Sequence, residues 1–196
     1  MKQTITTGLL SFALLFSLAC ERNAKKEDSV KVAEERTEER MDSTARGDEK
    51  IDQATFMIEA ASGGMMEVAL GRMAEKQASH AEVKAFGKMM VTDHTKANEE
   101  LKKLAAAKNV TLPASVGEEH QKHIDKLSGL KGAEFDREYM RLMVDDHQED
   151  VDNFRKAAQD TETDPDVKAF ATKTLTVLEK HLERARKVND MVKNTK

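Results

Sequence analysis

Residues 90–94 read MVTDH, and residues 143–147 read MVDDH. The two copies share their spacing, and each places a histidine on the apolar stripe of a long helical pattern. In the first, Val83, Phe86, Met90, His94, Ala97, Leu101 and Leu104 recur every three or four residues. In the second, Met140, Val144, His147, Val151, Phe154 and Ala158 do the same. That period belongs to an amphipathic helix with one face in a core. The spacing predicts helices over about 80–108 and 133–160.

Working outward, Phe56, Ala60, Gly63, Glu67, Leu70 and Ala74 trace a seam along a helix predicted over about 51–78. Gly63 and Gly64 interrupt it, and Glu67 sits on the seam itself. Ser79-His80-Ala81-Glu82 reads as a capping box opening the next helix. The chain breaks around Pro113, and Ser115-Val116-Gly117-Glu118 reads as a second box, starting a short helix to about 128. Asp164-Pro165 supplies a cap and a first-turn proline for a last helix over 165–193. Its face carries Phe170, Leu175, Val177, Leu178, His181, Leu182, Ala185 and Val188. VKAF at 83–86 and again at 167–170 is a second internal echo.

Composition agrees. Among 196 residues there are two prolines, nine glycines and 4% aromatics, with 35% charged. Long helices fit that balance and a β-sandwich does not. The formal charge of −4, with both signs interspersed, excludes a nucleic-acid footprint.

Helix lengths set the topology. Four helices of about 28 residues each span about 42 Å. Tight links make the first two long helices antiparallel, and likewise the last two. The segment between the pairs, with its short helix, is long enough to cross the bundle. The expected fold is an all-α, ferritin-like, up-down-down-up four-helix bundle, with a short extra helix in the long crossover and a charged tether ahead of it.

The N-terminus reads as targeting sequence. Lys2 precedes an apolar run from Gly8 to Leu18 that is too short to span a bilayer. Ala19-Cys20 follows, and Cys20 is the sole cysteine. This arrangement resembles a bacterial lipoprotein signal, although Ser17 stands where that pattern usually has an aliphatic residue. It implies a signal peptide over 1–19 and acylation of Cys20, so the membrane is the one partner indicated. Glu21 rather than Asp after Cys20 favours the outer membrane, facing the periplasm, by resemblance to a sorting rule of some Gram-negative bacteria. Residues 21–50 hold 18 charged residues among 30 and read as a flexible tether, with EERTEER (34–40) transiently helical through i,i+4 pairs, completing a segment 20–50 that precedes the domain at 51–193. With no thiol after Cys20, disulfides and thiolate metal sites are excluded.

Glu67, His94, His147 and His181 all fall near the midpoints of their helices. In a bundle of equal helices they reach one central layer, the way bundles build metal sites. Imidazole and carboxylate together suit Zn, Fe, Mn or Cu(II). Asp93 and Asp146, about 100° round their helices, can orient a histidine of a partner helix. The same layer reads equally as buried polar residues that only set helix register. A carboxylate di-iron site lacks its ligands, because Val91, Val144 and Leu178 occupy the positions three before each histidine. Met90 and Met143, with Met65, Met66, Met73 and Met89, are either a soft layer for copper or core filler. His80, His120 and His123 read as surface residues. No nucleophile elbow, catalytic triad or phosphate loop is present, which leans away from an enzyme.

FMIEAASGGMMEVALGRMA (56–74), VKAFGKMMVTDHTKANEELKKLA (83–105), FDREYMRLMVDDHQEDVDNF (135–154) and VKAF…LEKHL (167–182) resemble a bacterial family filed as domain of unknown function 4142. The resemblance covers about 51–190 and implies a ferritin-like helical domain in an exported or outer-membrane protein. Glu67, Asp93, His94, Asp146, His147 and His181 all lie within it, and it brings no ligand set of its own.

Overall fold

A computed structural model describes residues 27–40 and 47–193. The signal segment and Cys20 lie outside the described residues. The described chain forms six helices and no strand: α1 (Ser29–Glu38), α2 (Gly47–Gln77), α3 (Ala81–Ala107), α4 (Glu118–Ser128), α5 (Gly132–Gln159) and α6 (Pro165–Val192). The protein is an all-α bundle. None of these helices is long and apolar enough to cross a membrane.

The packing is most extensive within the pairs α2–α3 and α5–α6, which lie against each other along α2–α5 and α3–α6. Directions follow from contacts at the ends. Phe56 near the start of α2 meets Phe154 near the end of α5, with ring centroids 4.9 Å apart. Glu82 at the start of α3 pairs with Arg184 late in α6, and Glu100 late in α3 pairs with Lys173 early in α6. Both cross-pair contacts are therefore antiparallel. So are the tightly linked helices within each pair, which leaves α3 and α5 parallel, as the up-down-down-up expectation requires. The crossover carries α4 along α2, from a bond between Ser62 and His120 to one between Gln77 and the Ser128 carbonyl.

Two glycines set the closeness of α2 and α3. A Cβ at Gly71 would lie 2.6 Å from the Gly87 carbonyl oxygen, and one at Gly87 would lie 2.7 Å from the Ala74 Cβ. Of the Gly63-Gly64 pair, Gly64 is the close-packed member, since a Cβ there would meet the Asn98 side chain.

The structure revises the tether. Residues 29–38, expected as part of a flexible 20–50 segment, form α1 and dock on α2 and the 111–117 loop. Val30, Ala33 and Thr37 recur at helical spacing and are buried, a stripe too short to stand out among its charged neighbours. One Asp28 carboxylate oxygen caps two helices, accepting from Val30 N at 3.2 Å and from Glu118 N at 3.0 Å. Backbone amides of Ser115 and Thr111 donate to Ser29 Oγ and Thr37 Oγ. α1 and α4 add to the burial of α2: Val30 and Ala33 join the cluster that holds Met57, Ile58 and Ala61, and His120 bonds Ser62.

Both capping boxes are used differently from their sequence reading. The N-cap of α3 is His80, whose Nδ1 accepts from Glu82 N. Ser79 instead donates from its N and Oγ to Asp136, which also accepts from His80 N, so one carboxylate of α5 clamps the α2–α3 turn. The N-cap of α4 is Gly117, and Asp28 does the capping. Asp164 and Pro165 act as expected, Asp164 accepting from Asp166 N and Val167 N.

Candidate metal centre

The core falls into two apolar clusters. One contains Met57, Ile58, Leu101, Val151, Phe154 and Leu178. The other contains Leu70, Phe86, Met90, Phe135, Met140 and Met143. Glu67, His94, His147 and His181 lie in the bundle interior outside both clusters, and each is at most 6% exposed. Four helices contribute one residue each: α2 gives Glu67, α3 His94, α5 His147 and α6 His181. The convergence expected from helix midpoints is what the structure shows. The three imidazole centroids form a near-equilateral triangle, with sides of 5.4, 5.5 and 5.7 Å.

Each histidine has one ring nitrogen in a close polar contact and one without a hydrogen bond, although His147 Nε2 lies 3.3 Å from Glu67 Oε1. His94 Nδ1 lies 2.5 Å from Glu67 Oε2. His147 Nδ1 lies 2.9 Å from the Met143 carbonyl, one turn back in α5. His181 Nε2 lies 2.9 Å from Asp93 Oδ2. The remaining nitrogens, His94 Nε2, His147 Nε2 and His181 Nδ1, are buried with no hydrogen-bond partner. One ligand atom from each of the three lies within 4.8 Å of the others. An acceptor beside one nitrogen holds the proton there and turns the other nitrogen's lone pair inward. Asp93 meets a histidine of another helix, His181. Asp146 does not meet a histidine in that way; it stands against Glu67.

Burial governs the charges. It pushes Glu67 up to about 8 and His94 down to about 4, so the Nδ1–Oε2 contact joins two neutral groups rather than an ion pair. His181 is lowered to about 4 by burial and then by His94, against the pull of Asp93. His147 falls well below the usual imidazole range, through burial and its two histidine neighbours. Asp146 is raised well above the usual carboxylate range by burial, then by Glu67 and Asp150. Asp150 is raised to about 8 by burial, then by Glu67. All three imidazoles are therefore neutral at pH 7, the form that binds a cation.

Glu67, Asp146 and His147 form a second group with ligand atoms within 4.8 Å, and Glu67 Oε1, Asp146 Oδ2 and His147 Nε2 lack hydrogen-bond partners. Asp150 and Tyr139 belong to the same surroundings and escaped the sequence reading. Asp150 lies three residues after His147, on the same face of α5, a spacing that could have revealed it. Tyr139, the only tyrosine, is fully buried, stacked on Phe135 at 5.4 Å, with its hydroxyl unpartnered. His120, read as surface, is half-buried and bonded at 2.7 Å to Ser62, whose Oγ also accepts from Gly117 N.

Two clefts flank this centre on opposite sides. One, of about 410 Å³, has Asp146 and Asp150 in its lining and lies between α2, α5 and the α4 end of the crossover. The other, of about 320 Å³, lies between α3 and α6 and has Met89, Asp93, His94 and His181 in its lining.

No curated protein matches the chain significantly. Among solved structures, CopM in the Cu(II)-bound form is similar, with a TM-score of 0.58 and 18% identity over 70% of this chain and 95% of that one. At that identity the likeness is one of fold. The sequence profile of the family described as domain of unknown function DUF4142 matches residues 37–188, so the chain, with its four-helix core and central Glu-His layer, belongs to the DUF4142 family.

Proposed function

We propose that the protein binds one divalent transition-metal ion in the bundle core, with His94, His147 and His181 as nitrogen ligands and Glu67 as a fourth, carboxylate neighbour. One observation carries this reading: three buried histidines on three helices bring ring nitrogens within 4.8 Å of one another, and each keeps one ring nitrogen without a hydrogen bond. Buried polar atoms are rarely left so, each costing about 1–3 kcal/mol. Three neutral imidazoles with oriented rings suit Zn or Cu(II), and Fe or Mn less well. Asp93 and the Met143 carbonyl hold His181 and His147 in the ligating tautomer. The Cu(II)-bound state of the similar solved structure makes copper the first ion to try. The cellular setting we infer from the sequence is the envelope, with lipid on Cys20 and the domain in the periplasm.

The test is to purify the full chain in detergent, without a polyhistidine tag, and titrate Cu(II), Zn, Mn and Fe(II), following bound metal by mass spectrometry. One ion per chain, lost in His147→Ala, is expected. Absence of stoichiometric binding for all four ions removes the reading.

The closed Glu67–His94 contact favours a second reading, a polar layer that fixes helix register and holds no ion. It expects Glu67→Leu/His94→Leu to fold more stably than the parent and to leave cellular function intact.

A further inference from the structure

Resting on that reading, we propose that the acidic cleft is the port through which the cation reaches the three histidines, and that Glu67, Asp146 and His147 form an outer coordination position on the way. The ligand atoms of these three lie within 4.8 Å of one another. Glu67 is 1% exposed, and its Oε1 has no hydrogen-bond partner. Asp146 Oδ2 and His147 Nε2 are also without partners. A desolvated carboxylate oxygen, an imidazole nitrogen 3.3 Å from it and a second carboxylate beside them are a donor set that a divalent cation would complete. His147 belongs to both triads. The two positions therefore share a ligand, and an ion moving inward exchanges oxygen donors for the nitrogens of His94 and His181 without ever being bare.

The clefts differ in charge. The charge of the port comes from Asp28, Glu118 and Glu149 in its lining; Asp146 and Asp150, raised by burial, contribute donor oxygens rather than charge, and no lysine or arginine lines it. The opposite cleft carries Lys96, Lys173 and Lys180 against Asp93 and Glu100. Low-dielectric walls bearing one sign of charge focus the field and raise the local concentration of the opposite ion, increasing association rates by about 10–1000-fold. The acidic mouth draws a divalent cation, whereas the lysines oppose one. α1 completes the port, because Asp28 and Val30 form part of its wall.

The test uses the full chain and Zn(II), with a chromogenic chelator as competitor in stopped flow. In the parent chain, association should be fast and slow steeply with added salt. Glu149→Gln, at an exposed position, should slow it by weakening the field at the mouth, and Asp146→Asn should slow it about tenfold or more by removing a donor oxygen of the outer position. Lys96→Gln/Lys180→Gln should leave the rate unchanged. His181→Ala, which removes only an inner ligand, should retain weaker Zn(II) binding that Asp146→Asn in the same chain abolishes. Unchanged association in Asp146→Asn and Glu149→Gln, faster association in the lysine variant, or no residual binding in His181→Ala overturns the proposal while stoichiometric binding by the parent stands. A parent chain that binds no Zn(II) or Cu(II) overturns the metal reading itself.

Discussion

Glu67 Oε1 and His147 Nε2 lie 3.3 Å apart in the bundle interior, and neither has a hydrogen-bond partner. A carboxylate oxygen and an imidazole lone pair at that separation repel unless a proton or a cation lies between them. Glu67→Gln keeps the size and removes the capacity to ionise against a bound cation. It should weaken Zn(II) or Cu(II) binding about 10–100-fold, the usual effect of disturbing a group that supports metal ligands. His94, whose Nδ1 lies against Glu67, should show a changed ring-nitrogen chemical shift in the same variant.

Stability of the metal-free protein should decline as pH rises from 6.5 to 8. Glu67 and Asp150 are raised to about 8, so the folded chain keeps protons that the unfolded chain releases near the ordinary carboxylate value of about 4. Their contribution is complete below that value and is lost as pH approaches 8. The buried histidines act in the opposite sense. His94 and His181 are lowered to about 4, so they favour folding increasingly from there to about pH 6.5 and are constant above it. Above pH 6.5 only the carboxylates act. Thermal melting at pH 6.5 and 8 should show the fall, Glu67→Gln should reduce it, and saturating metal should reverse it.

Gly71→Ala should destabilise the bundle by about 1–3 kcal/mol, the usual result of forcing a methyl into a packed interface. Its Cβ has the Gly87 backbone in its way, and backbone yields less readily than a side chain. Gly129→Ala, where an added Cβ meets nothing, is the control. Denaturant midpoints for the two variants separate close packing from a general effect of replacing glycine.

Asp28→Ala should release α1 from the body of the domain. It removes a cap shared by α1 and α4, worth about 1 kcal/mol per helix end. Amide exchange at Val30 to Thr37 should accelerate strongly, with little change in α3 or α5. Uniform acceleration across all helices would show that α1 is integral to the global fold.

Replacing Cys20 with Ala should abolish incorporation of labelled palmitate in a Gram-negative host and shift the chain from the membrane fraction to the soluble periplasmic fraction. Retention at the membrane would contradict lipid anchoring.

The sequence was most informative where one feature repeats at helical spacing. His94 and His147 stand on clean seams, and equal helix lengths were enough to place them at one depth with Glu67 and His181. Asp93 was legible for the same reason: its angular offset from His94 turns it towards α6. Asp146 was found but given the wrong partner, because the carboxylate it meets belongs to α2, and no spacing within α5 encodes that distance. α1 was hidden by composition. Three small or β-branched residues among charges carry little signal until the surface that accepts them, the 111–117 loop, exists. The caps moved by one or two residues because tertiary carboxylates, Asp136 and Asp28, took over from the local serines.

The division of the helices into two tightly packed pairs has a thermodynamic corollary. Glu67 and His94 ride on one pair, and His147 and His181 ride on the other. Neither pair alone presents three nitrogens. An ion held between them acts as a rivet across the weaker seam, so occupancy and docking of the halves become a single equilibrium, with an ion at 100 times its dissociation constant adding about 2.7 kcal/mol to the folded state.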